Sequence, residues 1–119
     1  MKDFRNLTVW EKAHALALKV YESSKSFPGE EIYGLTSQIR RACVSIPTNI
    51  AEGCGRGSDR DLARFLVIAM GSASELEYLL LLSAELDILK KYAFDALSKD
   101  VVEVKRMLVS LIKKLKTNS

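Results

Sequence analysis

A chain of 119 residues, 48% hydrophobic and 28% charged, is one domain by length and large enough to bury a core without disulfide or metal staples. Its net charge of +3 is a weak basic bias, so any attraction for nucleic acid must come from where the charges sit. The opening Met1-Lys2-Asp3-Phe4 has no apolar core of signal-peptide length, and apolar runs such as Tyr78 to Leu82 are too short to span a bilayer; the expectation is a cytoplasmic protein without membrane association.

Thr8-Val9-Trp10-Glu11 reads as a capping box that opens a first helix, with Val9, Ala13, Leu16 and Val20 as its buried stripe. Ser23-Ser24 and Phe27-Pro28-Gly29 end it. A second helix is predicted from about Ile32 to Cys54. Leu35, Ile39, Ala42, Cys43, Ile46 and Ile50 form its apolar face, and Gln38, Arg41, Ser45, Thr48 and Glu52 a wholly polar stripe. Pro47 offers no N–H to the carbonyl of Cys43 and crowds it, at a cost of ~3 kcal/mol, so a kink is expected between Cys43 and Pro47. Cys43 and Cys54 are separated by roughly 16 Å along that helix, too far for a disulfide, and read as a core residue and a helix-end residue.

Gly53, Gly55 and Gly57 suggest a flexible break, after which Ser58-Asp59-Arg60-Asp61 caps a third helix, predicted as the longest. Its stripe is Leu62, Leu66, Ala69, Ala73, Leu76, Leu80 and Ser83. Leu79, Leu80, Leu81 and Leu82 cover every side of that helix, more apolar surface than an inward face can use, so Leu79, Leu81 and Leu82 are expected at an oligomer interface. The last helix begins around Lys91 and carries Phe94, Leu97, Val101, Val104, Leu108, Leu111 and Leu115 in heptad register, widened by Val102, Val109 and Ile112. The fold class is all-α, a single domain over 1–119.

Five ordered pieces carry a family resemblance: Leu7-Thr8-Val9-Trp10 with Lys12-Ala13; Val20-Tyr21; Phe27-Pro28 before Tyr33-Gly34-Leu35; the run from Gln38 to Gly53; and Arg64-Phe65-Leu66 with Ile68-Ala69, Gly71-Ser72 and Glu75-Leu76-Glu77. Together they closely resemble the four-helix-bundle proteins first known as products of intervening sequences inside bacterial 23S ribosomal RNA genes. The resemblance implies an antiparallel, up-and-down four-helix bundle that assembles into a homo-oligomeric ring, commonly of five subunits, suspected of binding nucleic acid and without a known reaction. A related branch looks like the accessory proteins of diversity-generating retroelements, similar rings that partner a reverse transcriptase and RNA. The chain departs from the pattern at Asp87, where many relatives place glycine in a left-handed conformation, and at Lys90, where a serine or threonine cap is usual.

Little in the chain converges for catalysis. His14 is the only histidine, no HExxH or paired CxxC spacing occurs, and His14, one turn from Trp10 and Leu18, reads as a packed or partly exposed helical residue. Ser72 and Ser74 lack a base, and the small residues around Gly71 suggest close helix contact. Glu75 and Glu77 point in different directions and read as solvated or intersubunit salt-bridge residues. The run from Gly53 to Ser58 follows a helix and lacks a Walker lysine; what remains is generic anion attraction where Ser58 opens a helix beside Arg56 and Arg60. No enzymatic activity, cofactor or metal is expected.

Charge distribution is more informative. Alternating helices gather the start of helix one, the second-to-third turn and the end of helix four at one end. That end holds Lys2, Arg5, Lys12, Arg56, Arg60, Arg64, Lys113, Lys114 and Lys116 against Asp3, Glu11, Glu52, Asp59 and Asp61, a net of +4, while the rest of the chain nets −1. A ring would concentrate this around one mouth as a phosphate attractor without base specificity. Arg56, Arg60, Arg64, Lys113, Lys114 and Lys116 are therefore the candidate nucleic-acid-binding residues, for RNA or DNA, together with Arg41 at the head of the polar stripe. The competing reading is a solvated surface whose lysines complement the dipole of helix four. Arg40 precedes Val44, Pro47 and Ala51 on a smooth strip suited to a subunit contact, and for Arg40 and Arg41 alike an intersubunit ion pair and a nucleic-acid contact are both open. Trp10, Tyr21, Tyr33 and Phe65 read as core or interface, because interleaved aromatics of a single-strand-binding surface are missing. The alternative function is a protein-interaction scaffold.

Overall fold

The computed structural model describes residues 2–118. A 3-10 turn over Phe4–Asn6, capped by the Asp3 carboxylate accepting from the Arg5 N–H at 3.0 Å, leads into α1, Thr8–Ser24. The predicted capping box does not form. Leu7 is the N-cap, its carbonyl accepts from the Glu11 N–H at 3.2 Å, and no side chain caps the helix. The 3-10 turn delivers the chain one residue early, and Phe4, tilted on Trp10 with ring centroids 4.8 Å apart, holds that entry. After α1, a second 3-10 turn, Gly29–Glu31, carries Glu31 to where its Oε1 accepts from the Leu35 N–H at 3.1 Å. That bond starts α2 at Leu35, three residues after the predicted Ile32, and Tyr33 is left 96% exposed instead of packed in the chain's core.

α2, Leu35–Gly55, passes through Pro47 without a break. Around the missing backbone bond, side chains turn back on carbonyls one turn earlier: the Thr48 hydroxyl donates to Val44 at 2.7 Å and the Asn49 amide to Ser45 at 2.8 Å, a bonding pattern that accompanies bent helices. Gly53, predicted as part of a flexible break, is instead a buried helical residue. A Cβ there would lie 2.8 Å from the Phe65 Cβ and 3.0 Å from Leu62 Cδ1, so glycine is what lets α2 approach α3. Only Gly57, with φ +90°, serves the turn. Gly71, expected at a close helix contact, is exposed, and a Cβ there would meet nothing; the neighbouring Ser72 makes the crossing instead, 2.8 Å from the Ser45 hydroxyl.

α3, Asp59–Glu85, begins as predicted, with Ser58 Oγ accepting from the Asp61 N–H at 3.1 Å. Its whole predicted stripe from Leu62 to Ser83 is buried, each leucine contributing about 1.5–3 kcal/mol. The four leucines divide differently from expectation. Leu79 is 4% exposed within the single chain and Leu82 packs partly on the core, so only Leu81, at 43%, remains surplus. The segment after α3 folds back as well, so that Leu89 is buried and Ile88 packs on the core. By length and composition α3 could also cross a membrane, which a reading of uninterrupted apolar runs misses. Here its stripe faces neighbouring helices, and Glu75 or Glu77 would each cost on the order of 3 kcal/mol at a bilayer centre.

The fold-back depends on a left-handed residue. Asp87, with φ 60°, occupies the position where a glycine ends many helices. Around it the Ile88 N–H bonds the Ser83 carbonyl at 2.9 Å and the Asp87 N–H bonds Ala84 at 3.0 Å, the paired bonds of a Schellman ending. Aspartate bears a left-handed penalty that glycine lacks, so Asp87→Gly is expected to raise stability by about 0.5–1 kcal/mol in urea unfolding. A destabilised variant would contradict this account of the turn.

α4, Lys91–Asn118, is 28 residues long against 27 for α3, so the last helix, not the third, is the longest. Each helix packs on its chain neighbour and α1 closes on α4, making an all-α, up-and-down bundle of 46 × 22 × 19 Å. Among the described residues there is no strand.

Candidate functional site

The Lys2 N–H donates to the Cys54 carbonyl at 3.2 Å, which fixes the amino end of the chain against the α2–α3 turn. The chain start and the α2–α3 turn, placed together from sequence, therefore share one surface. Phe65, 8% exposed, lies at its centre, with the Arg56 guanidinium 4.9 Å and the Arg64 guanidinium 5.4 Å from its ring centroid. Such cation–π contacts orient an arginine while leaving its N–H groups available. The ion pairs here are weak restraints: Arg56 meets Glu52 at 2.9 Å, Arg64 meets Asp61 at 3.5 Å and Lys2 meets Asp59 at 3.9 Å, all about half exposed and worth at most about 1 kcal/mol each. Arg60 has no ion pair among the described residues. Arg60, Arg64 and Lys116 line one groove of about 350 Å³ between α3 and the end of α4, with Asp59 as its one acid.

Other candidates are dispersed. Lys113 is exposed beyond that groove, and Lys114 lines a different one, beside Leu7 and Arg106 between α1 and α4. Arg41 stands fifteen residues before Arg56 on α2, roughly 22 Å along the axis, and so does not join the basic end. Arg40 is engaged within the chain: its Nε donates to Ser24 Oγ at 2.8 Å, Ser24 donates on to the Tyr21 carbonyl at 3.1 Å, and the guanidinium lies 4.8 Å from the Tyr21 ring centroid. The start of α3 is a poor anion site, since the Asp61 N–H is already taken by Ser58 and Asp59 and Asp61 occupy the first turn. Sequence reasoning missed Phe65 as the platform for two arginines. Arg64 adjoins it in sequence, but Arg56 reaches it only across the α2–α3 turn.

His14 is exposed and stacked on Trp10 at 4.9 Å and 7°. Glu77 pairs with Lys105 of α4 at 2.7 Å, whereas Glu75 faces solvent. Among the described residues no three His, Cys, Asp or Glu side chains converge as a metal site. Both cysteines are free and buried. Burial pushes the Cys43 thiol from 9.0 up to about 12, and burial also raises Cys54. Both should resist a thiol reagent in the native protein and react together in denaturant; rapid native labelling of Cys43 would contradict its placement. Because the folded-state value of Cys43 is raised, its contribution to stability is fully present below the unfolded value of 9.0 and is lost as pH climbs from there through about 12.

The sequence profile of a family described as 23S rRNA-intervening sequence protein matches residues 5–110. No curated protein matches the chain. Four solved chains match it. One is the crystal structure of a protein of unknown function from the S23 ribosomal protein family of Bacteroides thetaiotaomicron, similar with a TM-score of 0.82 and 28% identity over 89% of this chain and 99% of that one.

Proposed function

The chain belongs to the 23S rRNA-intervening sequence protein family, and from that premise we propose that it is a non-enzymatic, cytoplasmic protein that forms a homo-oligomeric ring, of five subunits by resemblance, and holds RNA or DNA by the phosphates at its basic end. The observation that carries the reading is the meeting of Arg60, Arg64 and Lys116 on one groove, beside an Arg56 oriented by the same Phe65 as Arg64. Guanidinium forks match phosphate oxygens, and repetition around a ring multiplies a modest charge per chain. Cations offered to phosphate oxygens make the proposed binding chiefly electrostatic.

A second reading, a scaffold that docks a protein such as a reverse transcriptase, draws on exposed apolar side chains outside the basic end, Tyr78 at 59% and Leu81 at 43%. A partner pulled down after nuclease treatment would favour it. The test of the first reading is a titration of structured RNA across salt concentrations. Neutralising three or four phosphates predicts that log K falls against log salt with a slope of about −3. An affinity indifferent to salt would contradict it.

A further inference from the structure

Away from the basic end, Arg40 and Arg41 share a groove along the outer side of α2, with a volume of about 590 Å³, within the range of small-ligand sites. Its polar side chains are all donors or neutral: the two arginines, the hydroxyls of Thr36, Ser37, Ser45 and Thr48, and the Tyr21 phenol, with no carboxylate among them. The two cations are thus uncompensated in the groove. Arg40 is pre-positioned by Ser24 and Tyr21. Arg41, exposed, has no ion pair among the described residues.

A second, independent observation is Thr36. It is only 5% exposed, lines this groove, and its Oγ1 is the one buried side-chain oxygen or nitrogen among the described residues with no hydrogen-bond partner. A buried hydroxyl left unpaired is destabilising. Threonine in a helix has two accessible rotamers that exchange its hydroxyl and methyl, so a ligand can draw the hydroxyl into the groove. Thr36 and Ser37 also belong to the first turn of α2, where the Leu35 N–H is already taken by Glu31 Oε1, so the groove's attraction for an anion comes from its arginines and hydroxyls.

We propose that this groove binds a small phosphate monoester, held by the Arg41 guanidinium against the Arg40 edge and by the hydroxyls of Thr36 and Ser37. Phosphate fits because every group offered to it can donate, and Ile32 and Val44 give an apolar wall for the organic part of the ligand. The site is separate from the basic end and does not rest on the nucleic-acid reading. Equilibrium dialysis of the full-length protein with labelled AMP and labelled inorganic phosphate tests it. Expected are one AMP per chain, competition by inorganic phosphate and none by adenosine. Arg41→Gln should weaken binding at least tenfold and Thr36→Val, which keeps the shape and removes the unpaired hydroxyl, severalfold, while Arg60→Glu/Arg64→Glu should leave it unchanged. Retention of neither probe, equal competition by adenosine, full affinity in Arg41→Gln, or loss in the Arg60/Arg64 variant would each overturn the proposal.

Discussion

Replacing Gly53 by valine is expected to destabilise the bundle by about 3 kcal/mol and to lower its thermal midpoint by roughly 12 °C. The added Cβ would stand 2.8 Å from the Phe65 Cβ and 3.0 Å from Leu62 Cδ1. Neither Cβ can rotate away, since each is fixed to its backbone, so α2 and α3 must separate along the contact that carries much of the core. Alanine has the same first clash but gains about 1 kcal/mol of helix propensity over glycine, so Gly53→Ala should lose less than valine and still lose. Separation would also carry Arg56 away from Phe65, linking this packing position to the basic surface. Calorimetry decides the matter: an unchanged midpoint for Gly53→Val would mean that α2 and α3 do not approach so closely.

The triple variant Arg56→Glu/Arg60→Glu/Arg64→Glu should lose nucleic-acid affinity by at least about 100-fold at low salt while keeping helicity and assembly. It reverses the charge on both sides of Phe65 and in the groove shared with Lys116. The folding cost is small because the pairs it breaks, Arg56–Glu52 and Arg64–Asp61, are about half exposed. Reversal at Lys113 and Lys114, which face other surfaces, should weaken binding less. Unchanged affinity in the triple variant would remove the basic end as the site.

Much of the fold was legible because helical periodicity is a local signal. The stripe of α3 is buried throughout, and Ser58 caps that helix as its sequence suggests. Asp87 was legible as a strain point and does take the left-handed conformation. What escaped depends on contacts between residues far apart in the chain. Gly53 reads as a break because glycine is permissive in isolation; its role appears only once Phe65 lies against it. Leu79 reads as surplus, yet it joins the core within the single chain. Thr8 loses its cap to a 3-10 turn that no helical period reveals. For the site, topology correctly gathered Arg56, Arg60, Arg64 and Lys116 at one end, but not the Phe65 platform, and Arg41 sits too far along α2 to join them. Arg40, open from sequence to an interface role, has partners in α1 that lie sixteen and nineteen residues before it.

Sedimentation velocity of the purified protein, alone and with a structured RNA, at low and at raised salt, tests assembly and electrostatic binding together. The expected result is a ring of several chains that sediments faster with RNA at low salt and reverts when salt is raised. A monomer, or a ring whose sedimentation is indifferent to RNA at low salt, would contradict the account.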